Sequence, residues 1–232
     1  MWTDVHTHLQ MLEMTPEEAI KESAKNSVER FITIGIGPDD WEFVLEAVDK
    51  YKPKVFGTLG NHPHDVEMWD QDADDFLMKH LDNPRIVAVG EIGLDYYYDN
   101  APRDLQQKIF RRQMEIAAIK KMPVEIHTRD AEEDTAKILK EFEGRVTGML
   151  HCFTSSQFMA DAALALGYHI SISGVVTFKN AESLRETVKT IPMDRIHVET
   201  DSPFLAPVPQ RGKKNFPGFM IHTAEKVAEL KG

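Results

Sequence analysis

Short β-rich apolar runs alternate with longer runs of helical periodicity along the whole chain, and this alternation limits the folds open to the sequence. Each β-rich run has the length of one strand, and the run that follows it has the length of one helix. The predicted strands span residues 2–6, 30–36, 55–60, 86–91, 123–127, 146–151, 168–173 and 195–199. The predicted helices begin near residue 16 and then span about 39–51, 72–81, 104–121, 132–142, 156–166, 181–190 and 217–230.

Strands that alternate with helices predict a parallel sheet with helical crossovers. Eight such units predict an α/β fold, a closed (β/α)8 TIM barrel, with residues 1–232 as a single domain. The alternative is an open doubly wound sheet. No glycine-rich phosphate loop follows an early strand, so we expect no nucleotide cofactor.

The composition is that of a soluble globular protein and excludes several other classes. The formal net charge is 27 − 38 = −11, which argues against a protein that coats nucleic acid broadly but allows a local basic site. Cys152 is the single cysteine, which excludes a disulfide framework and favours a reducing, cytoplasmic location. No apolar run suits a membrane span, and the first residues lack the features of a signal peptide.

Histidines gather where the predicted strands end, and in a TIM barrel the carboxyl ends of the strands carry the active site. Of the ten histidines, six lie at such ends: His6, His8, His62, His64, His127 and His151. His6 and His8 are two residues apart, so both can point to the same side of a strand. The other four histidines and Cys152 are interpreted as packing or surface residues.

Imidazole and carboxylate groups that converge from separate strands are the ligands a divalent metal requires. The candidates are His6, His8, Glu91, His127, His151 and Asp201. Taken singly, each has an ordinary structural explanation, such as packing or helix capping. Together they are too many for one tetrahedral ion with an open position, and they suit two metals bridged by a carboxylate.

Seven short motifs carry a resemblance that covers essentially the whole chain. They are DVHTHL at 4–9, GNHPH at 60–64, GEIGLDYY at 90–97, IHTRDA at 126–131, HCF at 151–153, ETDSPFLAP at 199–207 and RGKKN at 211–215. In this order they resemble the TatD-family metal-dependent deoxyribonucleases, a branch of the amidohydrolase superfamily. In that family a further C-terminal helix follows the position at which this chain ends, so we expect that helix to be absent.

The resemblance implies the distribution of the metal ligands. His6 and His8 would bind one ion together with Asp201, and Glu91 would bridge to a second ion. His127 and His151 would bind that second ion. The implied cofactors are two divalent metal ions, with magnesium, manganese and zinc as the candidates.

The expected reaction is hydrolysis of phosphodiester bonds in DNA, as an exonuclease acting on single-stranded ends. Asp201 is the expected general base, and Glu91 fixes the separation of the metals. The expected substrate contacts are His62, His64, Asp95, Tyr96 and Arg129. His62, His64 and Arg129 would contact phosphate oxygens, Asp95 would orient a ligand histidine or a substrate group, and Tyr96 or Tyr97 would stack on an unpaired base.

Two other functions fit the same residues. One is a deacylase of D-aminoacyl-tRNA or another ester or amide hydrolase of the amidohydrolase type, which would use the same metals. The other is a non-catalytic binding protein that retains the barrel, although no predicted ligand is missing. In every case we expect a monomer without a membrane partner.

Overall fold

Eight parallel strands, ordered β1 to β8 as in the sequence, form the sheet of a computed structural model that describes residues 1–232. The strands are β1 (Trp2–Thr7), β2 (Val28–Gly35), β3 (Val55–Leu59), β4 (Ile86–Asp95), β5 (Val124–Arg129), β6 (Gly148–Leu150), β7 (His169–Ile172) and β8 (Ile196–Val198). One α-helix follows each strand. The helices are α1 (Pro16–Ala24), α2 (Pro38–Lys50), α3 (Gln71–His80), α4 (Arg103–Lys120), α5 (Glu132–Glu141), α6 (Gln157–Ala165), α7 (Glu182–Thr190) and α8 (Met220–Lys231).

The residues after β8 close the sheet against β1. The amide N–H of Asp201 donates to the carbonyl of His6 at 3.0 Å, and that of His8 donates to the carbonyl of Ser202 at 2.9 Å. Thr7 and Ser202 form a parallel bridge between these bonds. The predicted (β/α)8 TIM barrel is therefore confirmed, and the open doubly wound sheet is excluded.

The first helix begins as the sequence predicts. Thr15 is the N-cap of α1, and its hydroxyl accepts a hydrogen bond from the amide of Glu18 at 3.3 Å. The Glu18 carboxylate accepts from the amide of Thr15 at 2.9 Å, which completes a capping box, and Pro16 occupies the first turn. These local bonds satisfy backbone donors that a helix start would otherwise leave unpaired.

The main apolar core contains side chains from both the barrel strands and the surrounding helices. Trp41 of α2 is fully buried, stacks on Phe76 of α3, and donates its indole N–H to the carbonyl of Gly60 at 2.8 Å. The tryptophan therefore joins two outer helices to the end of β3. None of the helices has the combined length and apolar character that a membrane crossing requires.

The extent of β4 and a set of short 3-10 helices depart from the predicted elements. Strand β4 continues to Asp95, beyond the predicted end at 91, because after a register shift between Val89 and Ile92 it pairs again with β5. Glu91 therefore lies within the strand. Five short 3-10 helices also occur at Leu9–Met11, Pro63–Met68, Gly174–Thr177, Met193–Arg195 and Pro217–Phe219, and the last of them delays the start of α8.

Two buried glutamines of α4 hold the loops that follow β3 and β4. Gln113 accepts from the amide of Asn61 at 2.7 Å and donates to the carbonyl of the same residue at 3.0 Å. Gln106 makes the same paired contact with Asp95, at 2.9 and 3.1 Å. The two glutamines are seven residues apart, so they lie on one face of the helix.

We predict that Gln113→Leu lowers the free energy of unfolding by about 2–5 kcal/mol, because it leaves two buried backbone groups of Asn61 unpaired. Urea denaturation measures this change. Lys108→Ala, at an exposed position of the same helix, is the matched control and should change stability by less than about 0.5 kcal/mol. Equal stability of the two variants would contradict the role given to Gln113.

Candidate metal centre

The first group of candidate ligands lies where β1 and β8 meet. The Nε2 atoms of His6 and His8 are 3.2 Å apart, and Asp201 Oδ1 lies 3.5 Å from the first and 3.4 Å from the second. Both histidines are buried, whereas the Asp201 side chain is 14 % exposed. His6, His8 and Asp201 are thus brought together as one group, in the combination that the sequence resemblance implies.

Glu91 lies between this group and a second set of imidazoles. Its Oε2 is 3.6 Å from His6 Nε2. Its Oε1 is 2.7 Å from His151 Nε2, 3.1 Å from His127 Nδ1 and 3.4 Å from His62 Nε2. The two oxygens of one carboxylate therefore face different groups of candidate ligands, which is the geometry of a bridging ligand.

His62 lies among the ligand atoms, although the sequence analysis expects it to contact substrate. Its ligand atom is within 4.8 Å of those of Glu91 and His127, and the three could hold an ion. His151 lies between the two groups, with its ring stacked on that of His6 at 3.9 Å and its Nε2 3.4 Å from His127 Nδ1. The geometry therefore adds His62 to the candidate ligands.

A carboxylate lies near the second ring nitrogen of three of these histidines. His6 Nδ1 is 2.6 Å from Glu125 Oε1, and His127 Nε2 is 3.0 Å from Asp95 Oδ2. His151 Nδ1 is 3.5 Å from Glu199 Oε1. Such partners fix the tautomer and orientation of a ligand histidine, so that its other nitrogen presents a lone pair to the metal.

The donor atoms fit a divalent cation. When His6 donates its Nδ1 proton to Glu125, its Nε2 lone pair faces His8 Nε2 and an oxygen of Asp201. Electron-rich atoms at these distances repel one another in a buried site, and a cation between them turns repulsion into attraction. A mixed set of imidazole and carboxylate donors suits zinc, manganese and similar ions.

The pKa values of the centre are shifted in both directions. Burial opposes protonation of His151, but the nearby Glu91 and Glu199 carboxylates raise its pKa well above the ordinary value. Burial lowers the pKa of His6 well below its ordinary value, which keeps the imidazole neutral. Burial alone would raise the pKa of Glu91, but the His151 and His62 imidazoles hold it well below its ordinary value. His6 and Glu91 thus favour the forms that bind metal, whereas His151 must lose a proton when a metal binds.

Close approach of β4 and β5 requires glycine at position 93. The φ angle of Gly93 is 144°, and a Cβ atom there would lie 1.9 Å from the carbonyl oxygen of His127. A side chain at this position would push apart the strands that carry Glu91 and His127. Gly93 in the GEIGLD motif therefore has a direct structural reason.

Asp95 connects the centre to its rim. Its Oδ2 lies 3.0 Å from both His64 Nε2 and His127 Nε2. Its Oδ1 accepts hydrogen bonds from the amides of Tyr97 at 3.0 Å and Tyr98 at 2.8 Å. One carboxylate therefore orients a candidate ligand, a histidine of the rim and the backbone of the loop after β4.

The tyrosines of this loop differ from the expectation for Tyr96. The Tyr96 hydroxyl donates to Asp134 at 2.8 Å and accepts from Gln107 at 2.9 Å, so its ring is held against the helices. This arrangement does not favour the base-stacking role expected for Tyr96. Tyr97 and Tyr98 are instead 57 % and 54 % exposed, and the Arg129 guanidinium lies over both rings.

Sequence reasoning missed the carboxylates Glu125 and Glu199 and the glutamines Gln106 and Gln113. A signal was present for Glu125, since it lies two residues before His127 in β5, the spacing that puts residues on one face of a strand. No comparable signal identifies the glutamines. Their partners depend on how α4 packs against the ends of β3 and β4.

Imidazole and carboxylate ligands at the carboxyl ends of a (β/α)8 barrel define a metal-dependent hydrolase, and comparison with known proteins agrees. The family model described as "TatD related DNase" matches residues 3–232. The chain belongs to this family.

Several relatives share most of their length with the chain. An uncharacterized metal-dependent hydrolase of Bacillus subtilis, YabD, is 39 % identical over 236 residues, covering 100 % of this chain and 91 % of its own. One from Mycobacterium tuberculosis, TatD, is 31 % identical and covers 98 % of this chain and 89 % of its own. The crystal structure of YJJV, a TatD homologue from Escherichia coli, superposes with a TM-score of 0.92 at 26 % identity, covering 99 % and 90 % of the two chains.

We predict that Glu125→Leu weakens metal binding roughly 10–100-fold, because His6 loses the partner that orients it. Competition with a chromophoric chelator measures the affinity. Glu133→Leu, at an exposed position of α5, is the control and should leave metal affinity unchanged. An unchanged affinity in Glu125→Leu would show that His6 is oriented without this carboxylate.

Proposed function

We propose that the protein hydrolyses phosphodiester bonds of DNA with the help of two divalent cations. The observation that carries this proposal is the position of Glu91, whose two oxygens face separate groups of candidate ligands. Family membership supports DNA as the substrate, since the matching model describes TatD related DNases. The relatives of known sequence support the broader activity of a metal-dependent hydrolase.

His6, His8 and Asp201 would hold one cation, and His127 with His62 or His151 would hold the other. Glu91 would bridge them. When bound, such ions lower the pKa of a nearby water and offset the negative charge that builds on the phosphoryl oxygens. Most of the donor side chains are buried, and His6 and His127 are each also bonded to a further carboxylate, so the donor atoms are held in position before substrate arrives.

Asp201 is the proposed general base. It is the most exposed carboxylate of the centre, so it can reach a water molecule that enters from solvent. Its backbone N–H donates a hydrogen bond to the carbonyl of His6 at 3.0 Å, which holds the carboxylate beside the first ligand group. The base would accept the proton of the attacking water as the new P–O bond forms. The P–O bond to the leaving sugar oxygen would break, and that oxygen would take up a proton.

Hydrogen-bond donors beside the centre, together with the positive charge of Arg129, support binding of a polyanion. His64 and Arg129 lie at the rim, and each could donate to a phosphate oxygen. His62 could make the same contact where it does not bind metal. These groups would attract the backbone of a DNA strand locally, although the net charge of the chain is −11.

The finer proposal is an exonuclease that acts on single-stranded ends, as a monomer in a reducing compartment such as the cytoplasm. Unpaired ends are favoured because the candidate ligands are mostly buried within the barrel mouth, where a terminal nucleotide can enter more readily than an intact duplex. The single cysteine supports the compartment.

We predict that metal-depleted protein does not shorten a 5′-labelled single-stranded oligonucleotide, and that Mg²⁺, Mn²⁺ or Zn²⁺ restores cleavage. A chelator and Glu91→Ala should each abolish it, because both remove the charge that stabilises the reacting phosphate. Denaturing gels resolve the shortened products. Hydrolysis of a D-aminoacyl-tRNA or a small ester, with no cleavage of DNA under any metal, would favour the deacylase or amidohydrolase alternative.

We predict that Asp201→Asn lowers kcat for oligonucleotide cleavage about 10²–10⁴-fold, since an amide cannot accept the proton of the attacking water. Asp194→Asn is the matched control. Asp194 is exposed and precedes β8, at the opposite end of the barrel. The kcat of the Asp194→Asn variant should therefore match that of the unaltered protein. A kcat within threefold of the control would remove Asp201 from the role of base.

A further inference from the structure

Two adjacent tyrosines and one arginine form a compact exposed cluster beside the metal centre. The Arg129 guanidinium carbon lies 4.0 Å from the ring centre of Tyr97 and 4.8 Å from that of Tyr98. The two rings meet edge to face at 5.0 Å. We call this cluster, Tyr97 with Tyr98 and Arg129, the aromatic platform.

The exposure of the aromatic platform distinguishes it from the core. Both tyrosines are more than half exposed, at 57 % and 54 %, whereas the other tyrosines of the chain are wholly or partly buried. Two neighbouring exposed rings leave apolar surface in water, which costs free energy. Surface of this kind, rimmed by polar groups at an active site, is characteristic of a binding surface.

The aromatic platform is also rigidly connected to the metal centre. The Asp95 carboxylate accepts from the amides of both tyrosines with one oxygen and contacts His64 and His127 with the other. The Tyr98 ring meets the His64 ring edge to face at 5.3 Å. Arg129 ends β5, two residues after His127, and so projects toward the same side of the strand.

We infer that the aromatic platform binds an unpaired nucleobase of the strand whose phosphate occupies the metal centre; the inference rests on the proposed function. A base can stack on a tyrosine ring while the guanidinium of Arg129 contacts the neighbouring phosphate. Stacking tolerates any base, because every base has a π-face. A base within a duplex is already stacked and paired, so the aromatic platform selects single-stranded nucleic acid without reading its sequence.

The test uses the double variant Tyr97→Leu/Tyr98→Leu, which removes both rings, and Tyr97→Phe/Tyr98→Phe, which retains them. Trp2→Leu controls for loss of an exposed aromatic side chain, because Trp2 is 41 % exposed and begins β1 at the other end of the barrel. Binding to a labelled phosphorothioate oligonucleotide is followed by fluorescence anisotropy on the metal-loaded protein. A second oligonucleotide of the same length carries abasic sites throughout.

The double leucine variant should bind the base-containing oligonucleotide roughly 5–100-fold more weakly than the unaltered protein. The phenylalanine variant and Trp2→Leu should bind it normally, and the abasic oligonucleotide should bind all four proteins alike. A 2-aminopurine near the cleaved end should be quenched by every protein except the double leucine variant. Unchanged binding of the abasic strand by the double leucine variant would show that the lost quenching does not come from a loss of stability.

Equal binding of the base-containing strand by the leucine and phenylalanine variants would overturn the inference. So would a leucine variant whose binding of the abasic strand is weakened as much as its binding of the base-containing strand. Because binding is measured without cleavage, the experiment tests the aromatic platform separately from the proposed nuclease activity. Ring-dependent binding in a protein that cleaves no DNA would support the aromatic platform and refute the nuclease. DNA cleavage with no effect of the leucine variant would refute the aromatic platform alone.

Discussion

The carboxylate of Glu91 is the group on which the rest of the site depends. It is buried at 3 % exposure, and imidazoles from β1, β5 and the segments after β3 and β6 surround it. A buried carboxylate in such surroundings is stabilised only if positive charge lies close to it. Divalent cations held by the same imidazoles would supply that charge, and the closed barrel supplies the fixed positions from which the imidazoles converge.

The candidate ligands are themselves held by further buried polar groups. Glu125, Asp95 and Glu199 lie near the second ring nitrogens of three histidines, while Gln106 and Gln113 bind the backbone where β4 and β3 end. The site is therefore held by side chains as well as by strands. Preorganised donors of this kind are what metal-assisted hydrolysis requires, because no reorganisation is needed as charge develops.

The sequence alone predicts the eight strand–helix units and most candidate ligands, because both follow from local spacing. The alternation of side chains along a strand places His6 and His8 on the same side of β1. In a (β/α)8 barrel the carboxyl ends of all strands lie at the same end. Contacts between distant parts of the chain do not follow from local spacing. Glu125 contacts His6, which is 119 residues away in the sequence, and Gln113 contacts Asn61, which is 52 residues away. His62 and the tyrosines lie beyond strand ends, where alternation no longer predicts direction, so the sequence could not show that His62 lies among the candidate ligands or that Tyr97 and Tyr98 are exposed.

The most direct test of the account is a crystal structure of the manganese-loaded protein with anomalous diffraction data. Two anomalous peaks should appear, about 3.5–4 Å apart, with one oxygen of Glu91 bound to each. His6, His8 and Asp201 should ligate the first, and His127 should ligate the second. A single peak, or two peaks of which neither contacts Glu91, would contradict the bridging role on which the proposed reaction rests.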